Sequence, residues 1–148
     1  WACMCNPEIT MKEKIMKADA VFIGTILAER IVIADSATLE PKYVIRYDIL
    51  IEKIYKGEFT RDTVIFIVKL SSCQYSFEVN NKYIIYAWEN TDSSSNSVLL
   101  KSEINTSYST DKCSGTREYN ERQALEIEAY LKSKEYRKLI RKTNKGLR

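Results

Sequence analysis

The hydrophobic pattern of this chain changes period several times, and each change marks a predicted element. Val21-Phe22-Ile23-Gly24-Thr25-Ile26-Leu27 opens a strand over residues 20–33 that is apolar on both faces at its start. Gly24 inside it is expected at a bulge or tight bend. After a loop over 35–41, Tyr43, Ile45, Tyr47, Ile49 and Ile51 alternate with Val44, Arg46, Asp48, Leu50 and Glu52, the period-two signature of a half-buried strand. Tyr55-Lys56-Gly57-Glu58 turns the chain. Val64-Ile65-Phe66-Ile67-Val68 is apolar at every position, which predicts a central strand covered on both faces. Asn80-Asn81 reads as a tight hairpin turn into a strand over 82–88, with Tyr83, Ile85 and Ala87 on one face. Residues 90–96 read as a loop and 97–102 as a last strand.

Helical spacing brackets these strands. Residues 7–18 predict a short helix with Pro7 in its first turn and Ile9, Ile15 and Met16 on a broadly shared face. Cys113-Ser114-Gly115-Thr116 precedes a second helix from about 118 to about 134, with continuation to Ile140 open. Its docking stripe is expected at Leu125 and Ala129. Five strands, a short leading helix and a trailing helix point to a mainly β fold, a five-stranded Greek-key barrel of the OB type. One domain is expected over 1–131, followed by a basic helix end or tail over 132–148.

The 148 residues contain no histidine, which removes the usual general base and the commonest zinc ligand. With four glycines there is no Gly-rich phosphate loop either. An enzyme is not expected, nor a cofactor. The net charge of +3 is uneven. Residues 132–148 hold eight of the 23 basic residues and one of the 20 acids, or +7, leaving 15 against 19, or −4, elsewhere. Such a tail suits contact with anionic surfaces. No run of residues is long and apolar enough for a transmembrane segment.

Cysteine placement adds the sharpest local constraint. Cys3 and Cys5 are too close in sequence to bond to each other comfortably, so each should seek Cys73 or Cys113, in either of two connectivities. Both would pin the N-terminal segment to the body at neighbouring points. Disulfides suggest a secreted or extracytoplasmic protein, and a signal peptide removed near Trp1 is expected.

The leader Cys3-x-Cys5-x-Pro7, the entry Ala18-Asp19-Ala20-Val21-Phe22-Ile23-Gly24 and Tyr55-Lys56-Gly57 form an ordered set of motifs. Cys73-x-x-x-Phe77 before Tyr83-Ile84-Ile85-Tyr86-Ala87, and Cys113-Ser114-Gly115-Thr116 before the final helix, complete it. Together they resemble the netrin-like module, most closely the N-terminal domain of tissue inhibitors of metalloproteinases and their single-domain bacterial relatives. The resemblance implies the pairings Cys3–Cys73 and Cys5–Cys113 and a binding ridge of Cys3, Met4, Cys5, Asn6 and Pro7, flanked by Ser71 and Ser72. It implies no intrinsic metal. The Cys3 amine and carbonyl oxygen would chelate the zinc of a partner metalloprotease, with Met4 entering its specificity pocket. That chemistry requires a chain processed to begin at Cys3, because Trp1-Ala2 ahead of it converts the amine to an amide. The alternative is a scaffold or cell-surface adaptor that binds protein partners through the barrel face or the basic tail. Nucleic acid is a disfavoured partner: Tyr43, Tyr47 and Tyr83 share the parity of core positions, and disulfides belong to another compartment.

Overall fold

A computed structural model describes residues 3–35, 42–69, 73–89 and 107–146. Among the described residues six strands, β1 (Ala20–Asp35), β2 (Lys42–Lys56), β3 (Thr63–Lys69), β4 (Lys82–Glu89), β5 (Ser107–Ser109) and β6 (Arg117–Glu118), combine with three helices. The helices are α1 (Met11–Lys17), α2 (Glu121–Leu131) and α3 (Lys134–Gly146). Five strands close into a ring in the order β1-β2-β3-β5-β4, with β4 returning to β1. All its pairings are antiparallel except β3–β5, which is parallel through Ile65–Ser107 and Phe66–Tyr108. The two-residue β6 lies against β4 through Tyr83 and Ile84.

Closure depends on β1 serving two neighbours. Its first six residues pair with β4, while nearly its whole length pairs with β2. A strand shared in this way must coil, and four register shifts along the β1–β2 ladder supply the bending. One falls at Ile23/Gly24, as its sequence predicts. A Cβ on Gly24 would stand 2.6 Å from Ile49 Cγ2, so β1 and β2 approach as closely as they do only because glycine is there.

The apolar runs are explained by three packed clusters, one inside the ring and two on its outer face. Inside the ring lie Phe22, Ile26, Ile45, Tyr47, Ile49, Val64, Phe66, Val68, Phe77, Tyr83, Ile85 and Tyr108. Outside it, Val21, Ile23, Ile84 and Tyr86 meet Ile15 of α1 and Ala124, Ile127 and Tyr130 of α2. Residues 64–68 are buried throughout, with Ile65 and Ile67 packing against Val44 on the outer face. Tyr47 and Tyr83 are buried as their parity predicts, but Tyr43 is 46% exposed.

Several boundaries differ from expectation. Helix α1 begins at Met11, because Thr10 caps it by accepting the Glu13 N–H and Pro7 sits in a preceding turn. Residues 78–81 do turn, with Asn80 at φ 71°, but the described residues leading into them, 73–77, form no strand, so this is not a hairpin. The expected strand over 97–102 lies outside the described residues, and β5 provides the fifth member of the ring. Helix α2 docks through Ala124, Ile127 and Tyr130, whereas Leu125 is 57% exposed and Ala129 faces solvent. The trailing helix is two helices. Ser133 separates them by donating its hydroxyl to Tyr130 O (2.6 Å) and accepting the Tyr136 N–H (3.2 Å) as the cap of α3.

Candidate functional site

Residues 3–9 run ahead of α1 as an irregular lead that two disulfides fasten to the body. Cys3 is bonded to Cys73 and Cys5 to Cys113, with Cα separations of 4.9 and 5.2 Å. This is the pairing that the resemblance implies, and the crossed arrangement is not formed. The sulfurs of Cys3 and Cys113 lie 3.6 Å apart, so the two cross-links sit side by side.

Each anchor on the body is itself held. The segment after Cys73 has no ladder bonds, yet Phe77 plugs the ring interior edge-on to Tyr47 (5.0 Å) and Tyr83 (4.9 Å). The two phenol oxygens accept the N–H groups of Phe77 (3.3 Å) and Glu78 (2.8 Å), so the buried tyrosines satisfy the backbone of a segment that has no ladder partner. Around Cys113, Asp111 Oδ1 accepts the Cys113 N–H at 2.8 Å. The hydroxyls of Thr110, Ser114 and Thr116 lie 2.8–2.9 Å from one another, and the Thr110 hydroxyl donates to Tyr86 O at 2.7 Å. Gly115 adopts φ +107°, packed against the Tyr86 ring and the Lys14 stem. Burial pushes the Tyr86 phenol above its usual pKa, keeping it neutral in this layer. The Lys112 N–H donates to Cys73 O at 2.9 Å and so ties one anchor loop to the other.

What this frame presents is Met4, which stands between the two pinned cysteines and is 93% exposed. Cys5, Asn6 and Pro7 are exposed beside it, and Cys3, Cys73 and Cys113 are half-buried beneath. Asn6 Oδ1 accepts the Glu8 N–H (3.0 Å) and Asn6 O accepts the Ile9 N–H (3.4 Å). Asn at the first and Pro at the second turn position have matching backbone preferences, so this pair steers the chain from the ridge into α1. Ser71 and Ser72 lie outside the described residues.

Beside the ridge lies a largely apolar pocket of about 200 Å³, walled by Ile9, Ala18, Tyr86, Trp88 and the Cys113 loop. Lys14, Lys17 and Asp111 also line it, and Trp88 is 37% exposed. Its residues come from the lead at Ile9, from α1 and its cap Ala18, from β4 and from 111–114, and no spacing in the sequence groups them. The sulfurs of Cys3, Cys73 and Cys113 cluster within 4.8 Å, the one such grouping among the described residues. All three are oxidised and offer no thiolate to a metal. Among the described residues no helix is long and apolar enough to cross a membrane. The two disulfides are compatible with an extracellular location. A scan against protein-family models and a search of curated proteins return no match to this chain.

Proposed function

We propose that this chain is a secreted, non-enzymatic netrin-like module with an OB-type Greek-key barrel, which uses residues Cys3–Pro7 as a rigid wedge against a protein partner. The observation that carries the reading is Met4: an almost fully exposed apolar side chain between two cysteines, each cross-linked to the body. An exposed methionine on a loose terminus would lose conformational freedom on binding. On a segment braced at both neighbours much of that entropy is already lost, so its contact area converts to affinity more efficiently. The closed ring of five strands supports the barrel assignment.

The partner that fits is a zinc endopeptidase. In a chain starting at Cys3, the neutral α-amine and carbonyl oxygen would form a five-membered chelate on the partner's zinc. They would replace the water that such an enzyme activates, while Met4 fills the adjoining specificity pocket. With Trp1-Ala2 in place the amine is an amide and this chelate is lost.

Two chains, one beginning at Cys3 and one retaining Trp1-Ala2, should be titrated against a panel of zinc endopeptidases. Inhibition by the first and not by the second is expected, and Met4→Gly should weaken it. If a correctly disulfide-bonded chain beginning at Cys3 leaves every protease active, the zinc mechanism is wrong and the adaptor reading replaces it.

A further inference from the structure

The two disulfides share a cluster of three sulfurs. Those of Cys3, Cys73 and Cys113 lie within 4.8 Å of one another, and Cys3 Sγ meets Cys113 Sγ at 3.6 Å although no bond joins them. Disulfides exchange by attack of a thiolate on a neighbouring disulfide sulfur, so a contact of this kind is a route for transfer once either sulfur is released. The fourth sulfur, on Cys5, stands outside the cluster. Cys5 is exposed, whereas Cys3, Cys73 and Cys113 are half-buried. Cys113 borders the pocket that Lys14 and Lys17 also line, two cations against the one carboxylate of Asp111. Cationic surroundings favour the thiolate and make the sulfur a better leaving group.

We propose that Cys5 is a modification site for a low-molecular-weight thiol, and that its modification is passed on within the cluster. The incoming thiolate attacks the accessible Cys5 Sγ and forms a mixed disulfide there. The Cys5–Cys113 bond breaks, and its electron pair leaves on Cys113 Sγ. Freed from Cys5, the Cys113 side chain turns about its Cα–Cβ bond into line with the neighbouring cross-link. Its thiolate attacks Cys3 Sγ, the Cys3–Cys113 bond forms, and Cys73 leaves as a thiolate. That thiolate takes up the proton which the incoming thiol gave to solvent. One thiol enters and one is released, two disulfides stand before and two after, and no oxidant is consumed. The Lys112 N–H already ties the two anchor loops together through Cys73 O at 2.9 Å, so the transfer displaces the lead little. Cys5 then no longer holds the lead to the body, and Met4 is braced on one side alone. The exchange rests on the sulfur cluster and not on what the ridge binds.

Two single variants separate this relay from general scrambling. In Cys5→Ser, Cys113 is a free thiol beside the Cys3–Cys73 bond. The Cys3–Cys73 and Cys3–Cys113 isomers should then coexist within about tenfold of each other, a difference under ~1.4 kcal/mol. In Cys113→Ser the free thiol is Cys5, outside the cluster, and Cys3–Cys73 should be the bond found. Each variant lacks one sulfur and the same cross-link, so lost stability acts alike on both. Bonds are read by acid quenching, alkylation and peptide mapping after hours of equilibration, the slow end of disulfide reshuffling. The parent chain held in excess reduced glutathione should carry the adduct on Cys5 together with a Cys3–Cys113 bond and a free Cys73. Cys3–Cys73 alone in Cys5→Ser would overturn the relay, as would equal rearrangement in the two variants. No adduct in the parent, or an adduct on Cys113 instead, would overturn Cys5 as the entry site.

Discussion

Cys3 Sγ and Cys113 Sγ stand 3.6 Å apart although they belong to different disulfides. The N-terminal lead is thus fastened at what is effectively one double point, with the 73 and 113 loops hydrogen-bonded to each other beneath it. The sequence separations bridged are 70 and 108 residues. Replacing Cys5 and Cys113 together with serine should lower stability by about 2–5 kcal/mol, since long cross-linked loops restrict the unfolded chain most. Chemical denaturation reads this directly. Limited proteolysis should then cut near Met4 and Asn6 faster than in the parent, and unchanged cleavage would mean that one disulfide suffices to brace the ridge.

Gly24→Ala is expected to destabilise by about 1–3 kcal/mol, the range for forced overpacking. The added methyl would meet Ile49 Cγ2 at 2.6 Å, Phe22 Cε2 at 3.1 Å and Leu50 O at 3.3 Å, and the backbone oxygen cannot rotate away. A melting temperature equal to the parent's would show that the β1–β2 bulge can open at little cost.

The phenol of Tyr55 is pushed up to about 12, first by burial and then by the Glu128 carboxylate, to which it donates at 3.3 Å. Lys53 pairs with the same carboxylate, and the three side chains tie β2 to α2. A tyrosine ionises near 10 in the unfolded chain, so the folded state holds this proton more tightly. Its contribution is fully present below pH 10 and is lost as pH rises from about 10 toward 12. Stability measured by denaturant should decline across that window, and Tyr55→Phe should flatten the decline. A decline just as steep in the variant would assign it to other buried phenols such as Tyr86, which burial also raises.

Truncation after Leu131 removes Tyr136 from the Tyr130 ring and Glu135 from Lys12. The ion pair is solvent-exposed and contributes little. The ring pair is worth roughly 0.5–1.5 kcal/mol. A domain of this size shifts by about 2–4 °C per kcal/mol, so the melting temperature should fall by only a few degrees. A drop beyond 10 °C, well outside that roughly linear scale, would make α3 part of the folding core.

The sequence by itself determined which segments are strands wherever one face, or both, must be buried. Residues 64–68 have no polar position to offer water, and the alternation from Ile45 to Ile49 leaves one orientation for the strand. It also determined the Gly24 irregularity. Tertiary structure decided where strands and helices end and which cysteine meets which, because these depend on groups distant in the chain. Thr10 starts α1 through one hydroxyl contact, and Ser133 ends α2 and starts α3 through two, none of which periodicity registers. The docking face of α2 passes through Ala124, Ile127 and Tyr130, one position away from Leu125, because the helix rotates to match Val21, Ile84 and Tyr86 on the sheet. The Cys-x-Cys spacing excludes one pairing locally but leaves two. Only the ring, which brings the 73 and 113 loops together at its rim, selects Cys3–Cys73 with Cys5–Cys113 and leaves Met4 standing clear between them.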